Sequence, residues 1–365
     1  MILLKENKLR KISVILIISL IANLFINCKE DETIVNNDQD FTLQSPYSFT
    51  EYQHKVQLHT HSFLSDGDFA AHGVLRMYEE QGYTAVALTD HDYTDDSPTL
   101  NDPGGHNIIH IPGVEYSSDE NDDSWNHMLG IMVKSIHHKE GVENRQAQID
   151  QAKAEGGLTF LCHPYGEEIH SRGWSKSDVL WLVNGYDGIE IHNSGSYYDP
   201  DGRNYPYKVD LALVAGRKIF IIAVDDFHDD PSETLDRGCV IINSNKNKEE
   251  ITLQDIIEAL KSGNFYSIGR LSTNIEKRPR FEDITVENNT IQVKTNLTTD
   301  IEFITAQNNY YNDGVNYSHI EENTTSASYN VQPEDEFVRV TAVYTQNGRK
   351  SYAWSNPIYV DMEGK

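Results

Sequence analysis

From about residue 52 to residue 270, short apolar runs alternate with amphipathic stretches. Residues 56–58, 85–88, 108–112, 158–161, 188–191 and 218–224 are apolar runs of strand length. Residues 74–81, 145–155 and 253–261 carry apolar side chains at helical spacing, and Gly82 and Gly156-Gly157 stop the first two. Strands alternating with helices predict parallel βαβ units, and this many of them predict a β/α barrel. After about residue 271 the pattern changes. Residues 284–286, 290–295, 301–306, 338–344 and 351–359 read as strands between Asn-rich turns, with no helical period. They predict a small antiparallel β-sandwich over residues 271–365.

The chain ahead of residue 51 reads differently. Residues 29–50 are polar and aperiodic, rich in Asn, Asp and Ser, and predict a flexible tether. Lys5, Lys8, Arg10 and Lys11 precede an apolar run over residues 12–26. At about 15 residues it falls short of the roughly 20 that span a bilayer as a helix. It ends in Phe25-Ile26-Asn27-Cys28 before an acidic stretch, so residues 1–28 resemble a bacterial lipoprotein signal. Plain secretion and a retained anchor are the alternatives. The expected place is the cell envelope, periplasmic or on the outer-membrane surface, with the membrane reached through a lipid on Cys28. Cys162 and Cys239 remain, and they are read as two separate buried thiols rather than a pair.

Charge narrows the function. The 365 residues carry a formal net charge of -27. General nucleic-acid binding and attraction to an anionic bilayer both need a basic face, so neither is expected. A phosphate substrate stays open, because bound divalent metals reverse the field locally. No obligate protein partner is evident.

The histidines carry the chemistry. Of the 15, all but His319 lie between His54 and His228. His59-Thr60-His61 follows the first predicted strand, and residues two apart in an extended chain point the same way. Ser65-Asp66-Gly67 lies just beyond. Asp90-His91-Asp92, Glu115, His127, His163 and Asp226-Phe227-His228 each fall at the C-terminal end of a predicted strand or in the loop after it. In a β/α barrel those ends meet on one rim. A lone His-x-His means little, but ligand-type residues at successive strand ends predict a multinuclear metal site.

In this order His59-Thr60-His61, Ser65-Asp66-Gly67, Thr89-Asp90-His91-Asp92, Gly113-Val114-Glu115, His127-Met128-Leu129-Gly130, Cys162-His163-Pro164 and Asp226-Phe227-His228 resemble the PHP (polymerase and histidinol phosphatase) superfamily. The resemblance covers about residues 52–270. The segment Ala353-Trp354-Ser355-Asn356-Pro357-Ile358-Tyr359-Val360 resembles the end of secreted CehA/McbA-like members. The resemblance implies a distorted seven-stranded β/α barrel with two to three divalent metal ions. His59, His61, Glu115 and Asp226 would hold one ion. Glu115 would bridge to a second held by His127 and His163, and Asp66, His91 and His228 would hold a third. Nitrogen and oxygen donors suit Zn, Mn or Fe. One departure is Gln57, where the family commonly has an acid that orients a ligand; its loss is expected to loosen that support.

Such ions would activate a water and neutralise charge on phosphoryl oxygens, so the first expectation is a hydrolase acting on a small-molecule phosphate ester. Arg172, Arg203 and Arg270 are candidate phosphoryl contacts, although each is more often an ordinary surface residue. His192 is a candidate general acid or substrate contact, the alternative being a hydrogen-bonding or surface group. Asp90 is expected to orient a ligand, while His106, His110, His137, His138 and His170 stand outside the site. A carbamate, amide or ester substrate is the second expectation. The third is a non-catalytic surface lipoprotein that binds through its sandwich. Tyr310, Tyr311, Tyr317 and Trp354 could form such a surface, with core packing as their default.

Overall fold

The computed structural model describes residues 41–94, 107–117, 126–134, 142–164, 174–182, 184–195, 205–271, 277–307 and 319–362. The expected signal and Cys28, Arg172 and Arg203, and Tyr310, Tyr311 and Tyr317 lie outside these residues. Among the described residues no helix is long and apolar enough to cross a membrane. The chain is mixed α/β, mostly strands with few helices.

The strands are β1 (Phe41–Gln44), β2 (Tyr52–Gln57), β3 (Ala85–Leu88), β4 (Ile109–Tyr116), β5 (Met128–Ile131), β6 (Leu158–Leu161), β7 (Gly188–Asn193) and β8 (Phe220–Val224). They continue with β9 (Gly238–Ser244), β10 (Phe265–Arg270), β11 (Phe281–Glu287), β12 (Thr290–Thr305), β13 (His319–Asn330), β14 (Phe337–Gln346), β15 (Arg349–Ser355) and β16 (Ile358–Met362). Four α-helices are described: α1 (Ala71–Glu80), α2 (Val142–Glu155), α3 (Pro206–Val214) and α4 (Leu253–Ser262).

Local chemistry accounts for these elements. In α1, Ala71, Val74, Leu75 and Tyr78 form one buried stripe at helical spacing, and Gly82 takes the left-handed backbone just beyond its end. Thr252 and Asp255 form a capping box on α4, and Gly263 closes it at φ 76°. All four residues of β3 and all four of β6 are buried, as expected of strands covered on both faces. Val56, Leu58, Ala87, Leu129, Phe160 and Val224 belong to one apolar cluster. The Val, Leu and Phe side chains among them each contribute roughly 1.5–3 kcal/mol when fully buried.

Strands β2 to β8 are neighbours in chain order. Beyond them, Thr60 pairs in parallel with Phe227, which links the continuation of β2 to that of β8. The expected run of parallel units holds for β2–β3–β4 and for β6–β7–β8. It fails at β5, which lies antiparallel to both β4 and β6. That reversal places the N-terminal end of β5 beside the C-terminal ends of its neighbours.

Two expected boundaries shift. Residues 41–44, read as tether, form β1 on β16, with Phe41 and Leu43 packed on the core. The boundary at residues 270/271 falls inside one hydrogen-bonded path, because β10 pairs with β9 on one side and β15 on the other. One apolar cluster also holds Tyr78 and Tyr266 together with Phe281 and Phe303. Strands β11 to β16 are antiparallel as expected, but among the described residues no separate sandwich is delimited.

Candidate metal centre

Residues 59–61 are held as an extended rung between two neighbours. Thr60 N and O exchange hydrogen bonds with Thr89, Asp226 N donates to His59 O at 3.0 Å, and His61 N donates to Phe227 O at 2.9 Å. Thr60 turns its hydroxyl toward Ala87 O, leaving His59 and His61 on the other side. Glu115 reaches the same place from β4, its backbone in a parallel bridge with His91. His127 precedes β5, and only the reversed direction of that strand brings it to meet His163 at the end of β6. His163 and Asp226 sit at φ 26° and 52°, a left-handed backbone that costs side chains on the order of 1 kcal/mol or more and marks over-determined sites. Gly67 permits close passage of its loop, since a Cβ there would lie 2.8 Å from His61 C and O.

The nine expected ligands come together. Ligand atoms of His59, His61, Glu115 and Asp226 lie within 4.8 Å of one another, all buried. So do those of His61, Asp66, His91 and His228, of which Asp66 is exposed and His91 and His228 are half-buried. Glu115 Oε1 lies 2.9 Å from His127 Nδ1 and 3.1 Å from His163 Nε2. The grouping differs from the expected one in that His61 is shared between two sets and His91 also reaches Glu115 and His127.

These side chains fit a cation. His59 Nε2 is 3.0 Å from Glu115 Oε2 and 3.1 Å from Asp226 Oδ1. His61 Nε2 is 3.1 and 3.2 Å from the same two oxygens. Donor atoms about 2.0–2.2 Å from a shared ion stand roughly 3 Å apart. His61 Nε2, His91 Nδ1 and Asp226 Oδ1 are buried polar atoms that make no hydrogen bond, the condition a bound ion relieves. His228 Nδ1 bonds Asp226 O at 3.0 Å, which leaves its Nε2 facing the group.

The electrostatics agree. Burial opposes charge on His59, yet the carboxylates of Asp226, Glu115 and Glu190 lift it well above its ordinary value. His91 and His228 rise to about 9 against burial, through Glu115 and Asp66 for the first and Asp66 and Asp226 for the second. Burial also opposes ionisation of Glu115 and Asp226, but the surrounding histidines hold both well below the usual carboxylate range. His127 is the exception: burial, aided by the charges of His163 and His91, takes it down to about 4. Buried carboxylates that stay ionised form a nest for positive charge.

No known family model matches this chain, and no curated protein sequence does. Several solved structures share part of its course. One is a two-domain protein from Bacteroides vulgatus described as containing a PHP-like metal-dependent phosphoesterase, at 16% identity and TM-score 0.44, covering 84% of this chain and 93% of that one. A protein from Bifidobacterium adolescentis described as a metal-dependent phosphoesterase has 16% identity and TM-score 0.38, over 57% of this chain and 96% of its own. An amidohydrolase from Chromobacterium violaceum, with bound sulfate and no metal, has 15% identity and TM-score 0.38, over 56% and 96%. At these scores the likeness is loose; what speaks about chemistry is this chain's own side chains.

His192 and Arg270 have other surroundings. His192 is fully buried, its ring stacked on Trp354 at 6.0 Å and its Nε2 3.2 Å from Ser194 Oγ. A register shift in β7 between Glu190 and His192 turns it away from Glu190's side. Arg270 Nε donates to Asp236 O at 3.0 Å, and its Nη2 lies 3.7 Å from Asp236 Oδ2. Trp354 is buried, as its core default implied, and Cys162 and Cys239 are buried free thiols.

Further groups back the cluster, and no sequence motif marks Glu190. Glu190 Oε1 lies 2.7 Å from His59 Nδ1. Cys162 Sγ falls within reach both of Glu115 and His163 and of His59 and Glu190. The available signal was an acid inside the apolar run Gly188-Ile189-Glu190-Ile191, since a buried charge needs partners. Asp90 behaves as expected: its carboxylate accepts from Ser62 N at 2.7 Å and Ser65 Oγ at 2.9 Å, bracing the loop that carries Asp66. Gln57 corrects the expectation of loosened support. Its Nε2 donates to Gly238 O at 2.9 Å while Oε1 accepts from Leu58 N and His59 N, so it braces His59 through an amide where a carboxylate could not donate.

Proposed function

We propose that this chain is a metal-dependent hydrolase of the PHP type, acting on a phosphate ester. The observation that carries the reading is the four-residue set His59, His61, Glu115 and Asp226, with ion-compatible spacings and orphaned buried atoms. The motif order and the Thr60–Phe227 link support a distorted ring of seven strands, β2 to β8, with this set at one rim. In that ring His59, His61, Glu115 and Asp226 would hold one divalent ion. Glu115 would share a second with His127 and His163, and Asp66, His91 and His228 would face a third. Divalent ions held there supply Lewis acidity toward an ester oxygen and lower the pKa of a water. The chain's own contribution is to fix the donors, keep Glu115 and Asp226 ionised, and leave the Asp66 side open to solvent.

The engagement of Arg270 by Asp236 favours a second reading, because it removes one candidate phosphoryl contact. Carbamate, amide or carboxyl-ester hydrolysis needs no cationic clamp. A panel of phosphomonoesters, phosphodiesters, aryl carbamates and aryl esters, with the chain loaded with Zn, Mn or Fe, separates the two. Phosphate release is expected, and His59→Ala and Asp226→Ala should each lower it about a hundredfold or more, the scale of a few kcal/mol of lost charge stabilisation. Turnover of carbamate or ester without phosphate release transfers the assignment to the second reading, and activity unchanged in both variants refutes the metal centre as its seat.

A further inference from the structure

On the metal-centre reading above, we propose that Glu190 is a positioning residue. Its carboxylate sets the ring of His59 and, through Asn193, the carboxylate of Asp226, without itself being a ligand. Every residue of β7 is buried, so each oxygen of Glu190 must find a donor within the protein. Oε1 accepts from His59 Nδ1 at 2.7 Å. Oε2 accepts from the backbone N of His163 and from Asn193 Nδ2 at 2.8 Å. The Asn193 amide also donates to Asp226 Oδ2, at 3.1 Å. One carboxylate extended by one amide therefore touches three of the expected ligands.

Distances separate this role from that of a ligand. Two atoms bound to one ion at about 2.0–2.2 Å stand roughly 3 Å or more apart at tetrahedral or octahedral angles. The spacings of His59 Nε2 to Glu115 and Asp226, 3.0 and 3.1 Å, fit that figure. The 2.7 Å from His59 Nδ1 to Glu190 is a charge-assisted hydrogen bond. Because a carboxylate only accepts, Nδ1 carries the proton and Nε2 is presented to the ion. Residues three apart in a regular strand face opposite sides; the register shift between Glu190 and His192 lets Glu190 and Asn193 share one side. All three partners of Glu190 are donors, so its isosteric amide would turn a fourth donor against them.

The test is a Co(II) titration of the chelator-stripped full chain, comparing wild type, Glu190→Gln and Asn193→Ala. Folding is checked by urea unfolding in chelator. Glu190→Gln should weaken Co(II) binding about 10- to 100-fold and change the visible spectrum of the bound ion, with the number of ions at saturation unchanged. Asn193→Ala should shift both in the same direction by less. Unchanged affinity and spectrum in folded Glu190→Gln overturn the role, as does loss of a whole ion at saturation, which would make Glu190 a ligand. A wild-type chain that takes up no Co(II) removes the metal-centre reading itself, a separate failure.

Discussion

Asp236, next to the backbone amides that hold Asp225, shows how a single side chain can be held by several. Lys55 Nζ lies 2.7 Å from its Oδ1, Arg278 Nη1 donates to that oxygen at 3.0 Å, and Arg278 Nη2 bonds Oδ2. Burial opposes its ionisation, but Arg278 and Lys55 outweigh burial and take it from 3.8 down to about 2. With the folded value below the unfolded one, the gain is complete above about pH 4 and is lost as pH falls through about 2. The size is on the order of 2 kcal/mol. Urea unfolding at pH 7, 4 and 2.5 should show Asp236→Asn destabilised by that amount at pH 7, with a correspondingly smaller loss between pH 4 and 2.5. Equal pH slopes in the two proteins would contradict the assignment. Arg270 belongs to this structural group, which is why its place near a predicted rim misled. The nine residues that meet in the cluster were legible as a group because their types recur at successive strand ends. Glu190 was not, because its meaning depends on partners from two other segments, at His59 and His163.

At the scale of elements, residues 85–88 and 158–161 were legible to the residue, as short, largely apolar runs behind glycine-stopped helices. Helix α3 was not. Lys208 and Asp210 are buried in it, balanced by Trp174 O and Arg339, so no polar face shows in its sequence. Among the described residues strand β13 pairs with β12 alone and is mostly exposed, so its polar residues carry no strand pattern. Residues 290–295 and 301–306 read as two strands but form the single β12, whose pairing shifts between Lys294 and Thr299. Residues 351–359 divide instead into β15 and β16 around Asn356-Pro357. Asn356 Oδ1 accepts from Ile221 N at 2.8 Å, and its Nδ2 donates to Gly263 O and Phe265 O at 3.0 Å each. It ties the C-terminal strands to β8, whose continuation carries Asp226. Asn356→Ala takes the side-chain acceptor from the buried Ile221 N–H and one donor each from Gly263 O and Phe265 O, and should cost on the order of 2 kcal/mol. A urea midpoint lowered accordingly with an unchanged m-value supports this; a loss under about 1 kcal/mol refutes it.

For the whole molecule, a net charge of -27 coexists with a buried cluster in which Glu115 and Asp226 stay ionised beside four or more imidazoles. His59, His91 and His228, lifted by these carboxylates, supply balancing charge, and divalent cations would replace it at lower cost in desolvated charge. The reversed β5, the link between Thr60 and Phe227, and the left-handed backbone at His163 and Asp226 all converge on that cluster. The most direct test is the metal content of the purified full chain by elemental analysis after dialysis against metal-free buffer. Two or three divalent ions per chain are expected, with at least one lost in Asp226→Ala. A wild-type chain that retains no ion after exposure to Zn, Mn and Fe would contradict the account at its centre.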